Sequence, residues 1–398
     1  MQVSDRLLGL TGGGSDGWGL FMKARAMVAE GIAVTELTIG EHDVRTDPAI
    51  LEAMAQAARA GHTGYAAVPG TPALRAAIAA RVQARTVVPT GVENVLVTPG
   101  GQAGLFAAHL AACAPGDPAL FIDPYYATYP GTLRAGGAVP VAVPARSRDA
   151  FQPRAEAIDA RAEGAKSLLI NTPNNPTGVV YTPQTLAGIA EVCRARDLWL
   201  ISDEVYDTQV WEGAHVSPRA LPGMAERTLV VGSMSKSHAM TGSRIGWIIG
   251  PAQAIAPLET LATHTTYGVP GYIQDAALFA LSQGAALEAR IAAPFKRRRA
   301  IAMKLLAAQD VVRLIPAGGA MYLMLDVRST GLSGKAFAEA LLARHRIAVM
   351  PGESFGACAA GHLRVAMTVE DDAFAAALQT LIDFAKECAA CPATQTAS

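Results

Sequence analysis

Ser233-Met-Ser-Lys236-Ser-His-Ala-Met-Thr-Gly-Ser-Arg244-Ile-Gly-Trp247 places one lysine among small residues, with an arginine close behind it. A lysine that forms a Schiff base needs a small, crowded setting. If its carbonyl partner carries a phosphate, a fixed cation must stand nearby. Outward from this stretch, Ser202-Asp203-Glu-Val-Tyr206 offers a carboxylate and a phenol. Before it, Asn171-Thr-Pro-Asn-Asn175-Pro-Thr-Gly178 offers amides. The three stretches follow one another in the order that a single cofactor site would require.

The bulk of the chain sets limits on what that site can be. The 398 residues allow two domains, and 51% hydrophobic residues allow a large core and exclude global disorder. A mean hydropathy of +0.25 could suggest a membrane protein. Alanine carries most of that value, and no uninterrupted apolar run of about 18 residues occurs. A formal net charge of −1 supplies no field for nucleic acid or an anionic membrane. The five cysteines are irregularly spaced, as in a reducing compartment. Cys388 and Cys391 form a CxxC without a second pair, so no metal site is expected. No secretory signal is visible, and the expected location is cytoplasmic.

Residues 1–45 read as an N-terminal arm, glycine-rich at Gly12, Gly13, Gly14, Gly17 and Gly19. It leads into a helix over 20–30 and a strand over 34–39. From 46 to 285 the pattern alternates. Helices over 48–60 and from 72 to 84 precede apolar runs at 94–98, 119–123, 139–143, 167–171, 198–202 and 228–232. Alanine-rich helical segments separate most of these runs. This predicts an α/β fold: a large domain with a mainly parallel sheet covered by helices on both faces. The candidate residues follow the runs, at the carboxyl ends where open α/β sheets bind ligands. Residues 286–398 change texture and predict a smaller α+β domain, with strands at 321–327, 347–350 and 362–367 and helices over 285–309, 335–344 and 371–387. Lys296-Arg-Arg-Arg299 on the first of these helices is expected as a solvated face.

Pyridoxal phosphate (PLP) would meet a residue for each of its needs. Val97-Thr-Pro-Gly100-Gly101-Gln102 opens a helix after a strand, where backbone N–H groups can hold a phosphate. Asp203 would keep the pyridine nitrogen protonated. Asn175 and Tyr206 would donate to the ring's phenolate oxygen and lower the Schiff-base pKa. Tyr126, in Asp123-Pro-Tyr-Tyr126-Ala-Thr-Tyr129, would stack on the ring; Tyr125 and Tyr129 equally fit a core edge. Arg364, inside an apolar strand, would fork onto a substrate carboxylate.

Together these motifs resemble the fold-type I PLP enzymes, and among them the class I/II aminotransferases, from about residue 37 to residue 367. The resemblance implies that Lys236 carries the cofactor, Asp203 pairs with its ring nitrogen, and Asn175 and Tyr206 contact its 3-hydroxyl. It implies that Ser233 and Arg244 hold the phosphate with Gly100, Gly101 and Gln102. It also implies that Gly40, Asn175 and Arg364 bind the substrate carboxylate. Tyr65, in Gly64-Tyr65-Ala-Ala-Val-Pro-Gly70, matches a tyrosine that reaches the neighbouring subunit's phosphate, which implies a homodimer with shared sites. His42 stands where proline is usual, and Ser243 where many relatives carry tryptophan. The implied reaction is ping-pong transfer of an amino group from an α-amino acid to a 2-oxo acid. A carbon–sulfur β-lyase or a decarboxylase on the same scaffold is the nearest alternative. A penicillin-recognising serine hydrolase lacks its Ser-Asp-Asn and Lys-Thr-Gly partners here. A PLP-sensing regulator would need a DNA-binding module. Parts of the stretch 222–242 resemble arginine–pyruvate aminotransferases, but the sequence alone does not select a donor.

Overall fold

The first strand, β1 (Thr35–Leu37), lies far in sequence from its partners, and they are described below. The next seven form one sheet: β2 (Val95–Thr98), β3 (Pro118–Asp123), β4 (Val139–Pro144), β5 (Ser167–Asn171), β6 (Trp199–Asp203), β7 (Thr228–Ser233) and β8 (Gly246–Ile249). Their spatial order is β2-β8-β7-β6-β5-β3-β4. Strands β3 to β7 run parallel to one another, and β8 runs antiparallel to both β2 and β7. This computed structural model describes residues 1–13 and 17–390. Gly14 of the arm and Cys391 of the CxxC lie outside the described residues.

Burial on both faces explains the continuous apolar runs. Leu168, Leu169, Ile170, Leu200 and Ile201 are all buried in the sheet centre. Helices Gly100–Ala112 and Pro183–Ala195 turn apolar residues such as Leu105, Leu186 and Ile189 toward that core. Strand β8 and the helices Ala252–His264 and Gly271–Ser282 were not anticipated. The strand is only four residues long and bounded by Gly246 and Gly250, so it carries little periodicity.

The remaining strands are β9 (Arg313–Leu314), β10 (Tyr322–Asp326), β11 (Ile347–Pro351) and β12 (His362–Ala366). They form the second sheet with β1, in the order β1-β11-β12-β10-β9. Strand β1 lies parallel to β11, with Thr35 opposite Ile347. A strand near the amino terminus is thus built into a sheet made otherwise of carboxyl-terminal residues. Helices Gly284–Ala307, Gly334–His345 and Asp371–Ala390 pack on it through residues such as Phe295, Phe337, Phe374 and Phe384.

The basic run on Gly284–Ala307 is only partly a solvated face: Lys296 and Arg297 are exposed, whereas Arg298 is buried and Arg299 half-buried. Arg298 is 1% exposed and holds Asp43 through two bonds of 3.0 and 2.6 Å. It also donates to Asp371 at 2.9 Å and to the Met367 carbonyl at 3.0 Å. Arg297 shares Asp371, and Arg299 pairs with Glu212 and donates to the Ala317 carbonyl at 2.6 Å. The run acts as a clamp on the segment that follows Gly40. Removing one partner of such a buried pair leaves the other charge uncompensated. Arg298→Met should therefore cost about 3–5 kcal/mol of stability. Asp371→Asn, at the more exposed partner, should cost only about 1 kcal/mol. Thermal and denaturant unfolding of the two variants side by side would check this order.

Candidate active site

The carboxyl ends of β2, β5, β6 and β7 deliver their residues to one pocket of ≈ 310 Å³. After β2 the chain turns at Gly100, whose φ is +79°, into helix Gly100–Ala112. A side chain at position 100 would run into the Arg244 guanidinium, so only glycine lets the helix start approach that cation. The first-turn N–H groups of the helix lack intrahelical partners by construction. Gly101 and Gln102 line the pocket there. The Gln102 side chain is occupied elsewhere, donating to Thr132 Oγ1 at 2.7 Å and accepting from Thr128 Oγ1 at 3.3 Å.

After β5, the Asn171 side chain ties two strand ends together. Its Oδ1 accepts from the Asn175 N–H at 2.7 Å, and its Nδ2 donates to the Asp203 carbonyl at 2.9 Å. Asp203, at the end of β6, is 5% exposed. It accepts from the Tyr129 hydroxyl at 2.6 Å and the Val205 N–H at 3.3 Å. Its neighbour Glu204 is held by Ser202, Ser217 and His215 at 2.9, 2.8 and 2.9 Å, away from this pocket. Tyr129 is therefore not merely a core-edge residue. Tyr126 lines the pocket and meets Tyr129 edge-on at 5.7 Å between ring centroids.

After β7, Ser233 caps the short helix Met234–Ser237, accepting from the Ser235 N–H at 3.1 Å. Lys236 on that helix donates from Nζ to the Gly40 carbonyl. Arg244 donates to the Thr241 carbonyl at 2.8 Å and has no ion pair among the described residues. From the second sheet, Arg364 on β12 is 1% exposed. It donates to Asn175 Oδ1 at 2.9 Å and to the Thr38 carbonyl, and it too lacks a carboxylate partner among the described residues. It lies between the rings of Tyr322 and Phe355, at 4.6 and 4.4 Å from their centroids.

One pocket thus gathers Gly40, Gly101, Gln102, Tyr126, Asn175, Asp203, Tyr206, Ser233, Lys236, Arg244 and Arg364, all anticipated from sequence. Gly100 stands behind Arg244 instead of lining it. Tyr65 is not in the pocket; it is 91% exposed and its ring meets that of Tyr267 edge-on at 5.0 Å. Trp18, Glu41, Ser235, Thr241 and Tyr322 line the pocket without having been assigned to it. Tyr322 had no local signal, because it opens a strand of the other sheet.

Residues 32–381 match the family described as aminotransferase class I and II. The chain is 40% identical over 370 residues to the arginine–pyruvate transaminase of Pseudomonas aeruginosa, covering 93% of this chain and 94% of that protein. This chain belongs to the class I and II aminotransferases. It is also 34% identical over 361 residues to a probable aspartate/prephenate aminotransferase of Thermus aquaticus, covering 90% and 93% of the two. Its fold matches Thermus thermophilus aspartate aminotransferase with maleate at a TM-score of 0.90 and 31% identity, covering 96% and 100%.

The cofactor of this aminotransferase is PLP, and the electrostatics of the pocket suit it. Burial pushes the Asp203 carboxyl up to about 6, even with the Tyr129 hydroxyl bonded to it. A buried acid in that state is stabilised as a carboxylate by a cation at its side, which a protonated pyridine nitrogen is. Arg244 and Ser233 bring a cation and a hydroxyl beside the start of helix Gly100–Ala112, a combination that suits an anion. Burial pulls the Lys236 ammonium down to about 8. Only the neutral amine attacks a carbonyl, and a lower pKa makes more of it at neutral pH. The rate at which the cofactor-free protein takes up PLP should rise with pH through a midpoint near 8, well below that of an ordinary lysine. Stopped-flow absorbance across that range would show it, and a rate still climbing steeply above pH 9.5 would contradict it.

Proposed function

We propose that Lys236 is the lysine that carries PLP and that the preferred donor is an amino acid with a cationic side chain, with pyruvate as acceptor. When bound, PLP supplies the electron sink that acidifies the donor Cα–H. The protein's own residues do the rest. Arg364 holds the α-carboxylate, helped by Asn175, and so fixes which bond at Cα faces the ring. The Lys236 Nζ amine would take up the proton from the donor Cα. Asp203 keeps the ring nitrogen protonated, Tyr206 and Asn175 serve the ring oxygen, and Tyr126 covers the ring face. Arg244, Ser233 and the helix start hold the phosphate. The cycle runs in two halves, with the amino group stored between them. Every relative reported above is named as an aminotransferase, so lyase chemistry is not proposed.

The charge inventory carries the choice of donor. The pocket's cations, Lys236, Arg244 and Arg364, each have a task, and none is left for a distal carboxylate. The stretches 61–70 and 263–270, read as lying near the subunit boundary, contain no lysine or arginine. Glu41 is exposed at the pocket, accepting from Thr241 Oγ1 at 3.0 Å, and offers a negative partner. The Pseudomonas aeruginosa relative is named for arginine and pyruvate, which agrees with this inventory.

Two structural readings accompany the function. Residues 1–45, 46–285 and 286–398 are read as arm, large domain and small domain. The protein is read as a homodimer in which Tyr65 serves the neighbouring site; its 91% exposure, outside the lining of its own pocket, supports this. A cytoplasmic setting is proposed because the four described cysteines are unpaired. No described helix is long and apolar enough to cross a membrane.

The visible spectrum of the PLP-loaded protein tests the reading. Arginine should bleach the band and pyruvate restore it, with arginine favoured over aspartate by about tenfold or more in kcat/KM, a difference of roughly 1.4 kcal/mol. Bleaching by aspartate and not by arginine would remove the donor assignment. Turnover by Lys236→Ala at the unmodified rate would remove the lysine assignment.

A further inference from the structure

Tyr322 opens β10 on the second sheet and is 2% exposed. Its hydroxyl lies 3.0 Å from the Tyr206 hydroxyl and 3.4 Å from Asn175 Nδ2. Its ring faces the Arg364 guanidinium. Gly40 shows how closely it is held: any side chain at position 40 would run into the Tyr322 hydroxyl and the ring carbon that bears it. A glycine on one segment, an amide on a second and a phenol on a third all close on this one oxygen.

The proton directions follow from the donors. Arg364 can only donate, so the Asn175 atom 2.9 Å from it is the amide oxygen. The other amide atom is then the nitrogen, and it donates to the Tyr322 oxygen. With that oxygen accepting, the Tyr322 proton is available to the Tyr206 oxygen. A Tyr206 hydroxyl that accepts from Tyr322 must send its own proton elsewhere, and the remaining direction is the pocket.

We propose that Tyr322 is a positioning residue whose hydroxyl turns the Tyr206 proton toward the ring oxygen of bound PLP. This rests on the role given to Tyr206 above. Tyr126, Asp203, Lys236 and Arg364 are the other ionisable groups facing the two phenols, and all of them remain in a Tyr322→Phe variant. A hydrogen bond to the ring oxygen favours the form of the lysine–cofactor link that has lost its proton. Loss of its aim should therefore raise the pH at which the visible band changes.

The experiment is a pH titration of the visible absorbance of the PLP-loaded protein, without substrate. Tyr322→Phe should raise the midpoint by about half to one pH unit, the worth of a single hydrogen bond. Tyr206→Phe should raise it at least as far. Adding Tyr322→Phe to Tyr206→Phe should add no further shift, because the first acts only through the second. A Tyr322→Phe titration superimposable on that of the unmodified protein would overturn the proposal while leaving Tyr206 in its role. Full additivity in the double variant would also overturn it. An unmoved midpoint in Tyr206→Phe would remove the role of Tyr206 itself, and this inference with it.

Discussion

Arg364 is a buried cation with no anionic partner among the described residues, and the site is arranged around that fact. A charge at 1% exposure is costly unless its donors are used. This one reaches Asn175 from the large sheet and the Thr38 carbonyl just after β1, and it sits between two aromatic faces. Its Nε remains without a partner. The arginine joins three separate parts of the chain and still has capacity for a carboxylate. In the role proposed for Arg364, a substrate carboxylate would complete that environment.

The other charges are handled by burial in opposite senses. Asp203 is pushed toward its neutral form and Lys236 is also pushed toward its neutral form, one up and one down. For the acid, this creates a demand for a cation at its side. For the lysine, it creates a nucleophile. Tyr129 tempers the first effect by donating to Asp203, so the carboxylate is held in place while it still faces the ring position. Behind these residues, the Asn171 side chain and the Arg298 clamp hold the loops that carry Asn175 and Gly40. The rigid elements are at the back, and the reactive ones project from strand ends.

Much of this could be read directly from the chain. The parallel strands β3 and β5 to β7 were readable because burial on both faces leaves unbroken apolar runs ended by turn residues. The lysine, its arginine and the Asp203–Tyr206 stretch were readable because their chemistry is local and their spacing is short. Strand β8 was not, since four residues between glycines have no period to detect. The Lys296–Arg299 run misled for a related reason. A charge run looks the same in sequence whether it faces water or a buried carboxylate, and Asp43 is far from it along the chain.

The amino-acid sequence by itself determined the α/β alternation, the motifs whose residues meet in one pocket and the family, because each depends on neighbours within a few positions. Only the tertiary structure decided that Tyr129 donates to Asp203, that Tyr322 meets Tyr206, and that Gly40 must be glycine. Those are contacts between segments of different sheets and loops, 74 residues apart for the first pair and 116 for the second. Close packing sets them, and a linear pattern holds no record of which distant side chains will share one buried oxygen.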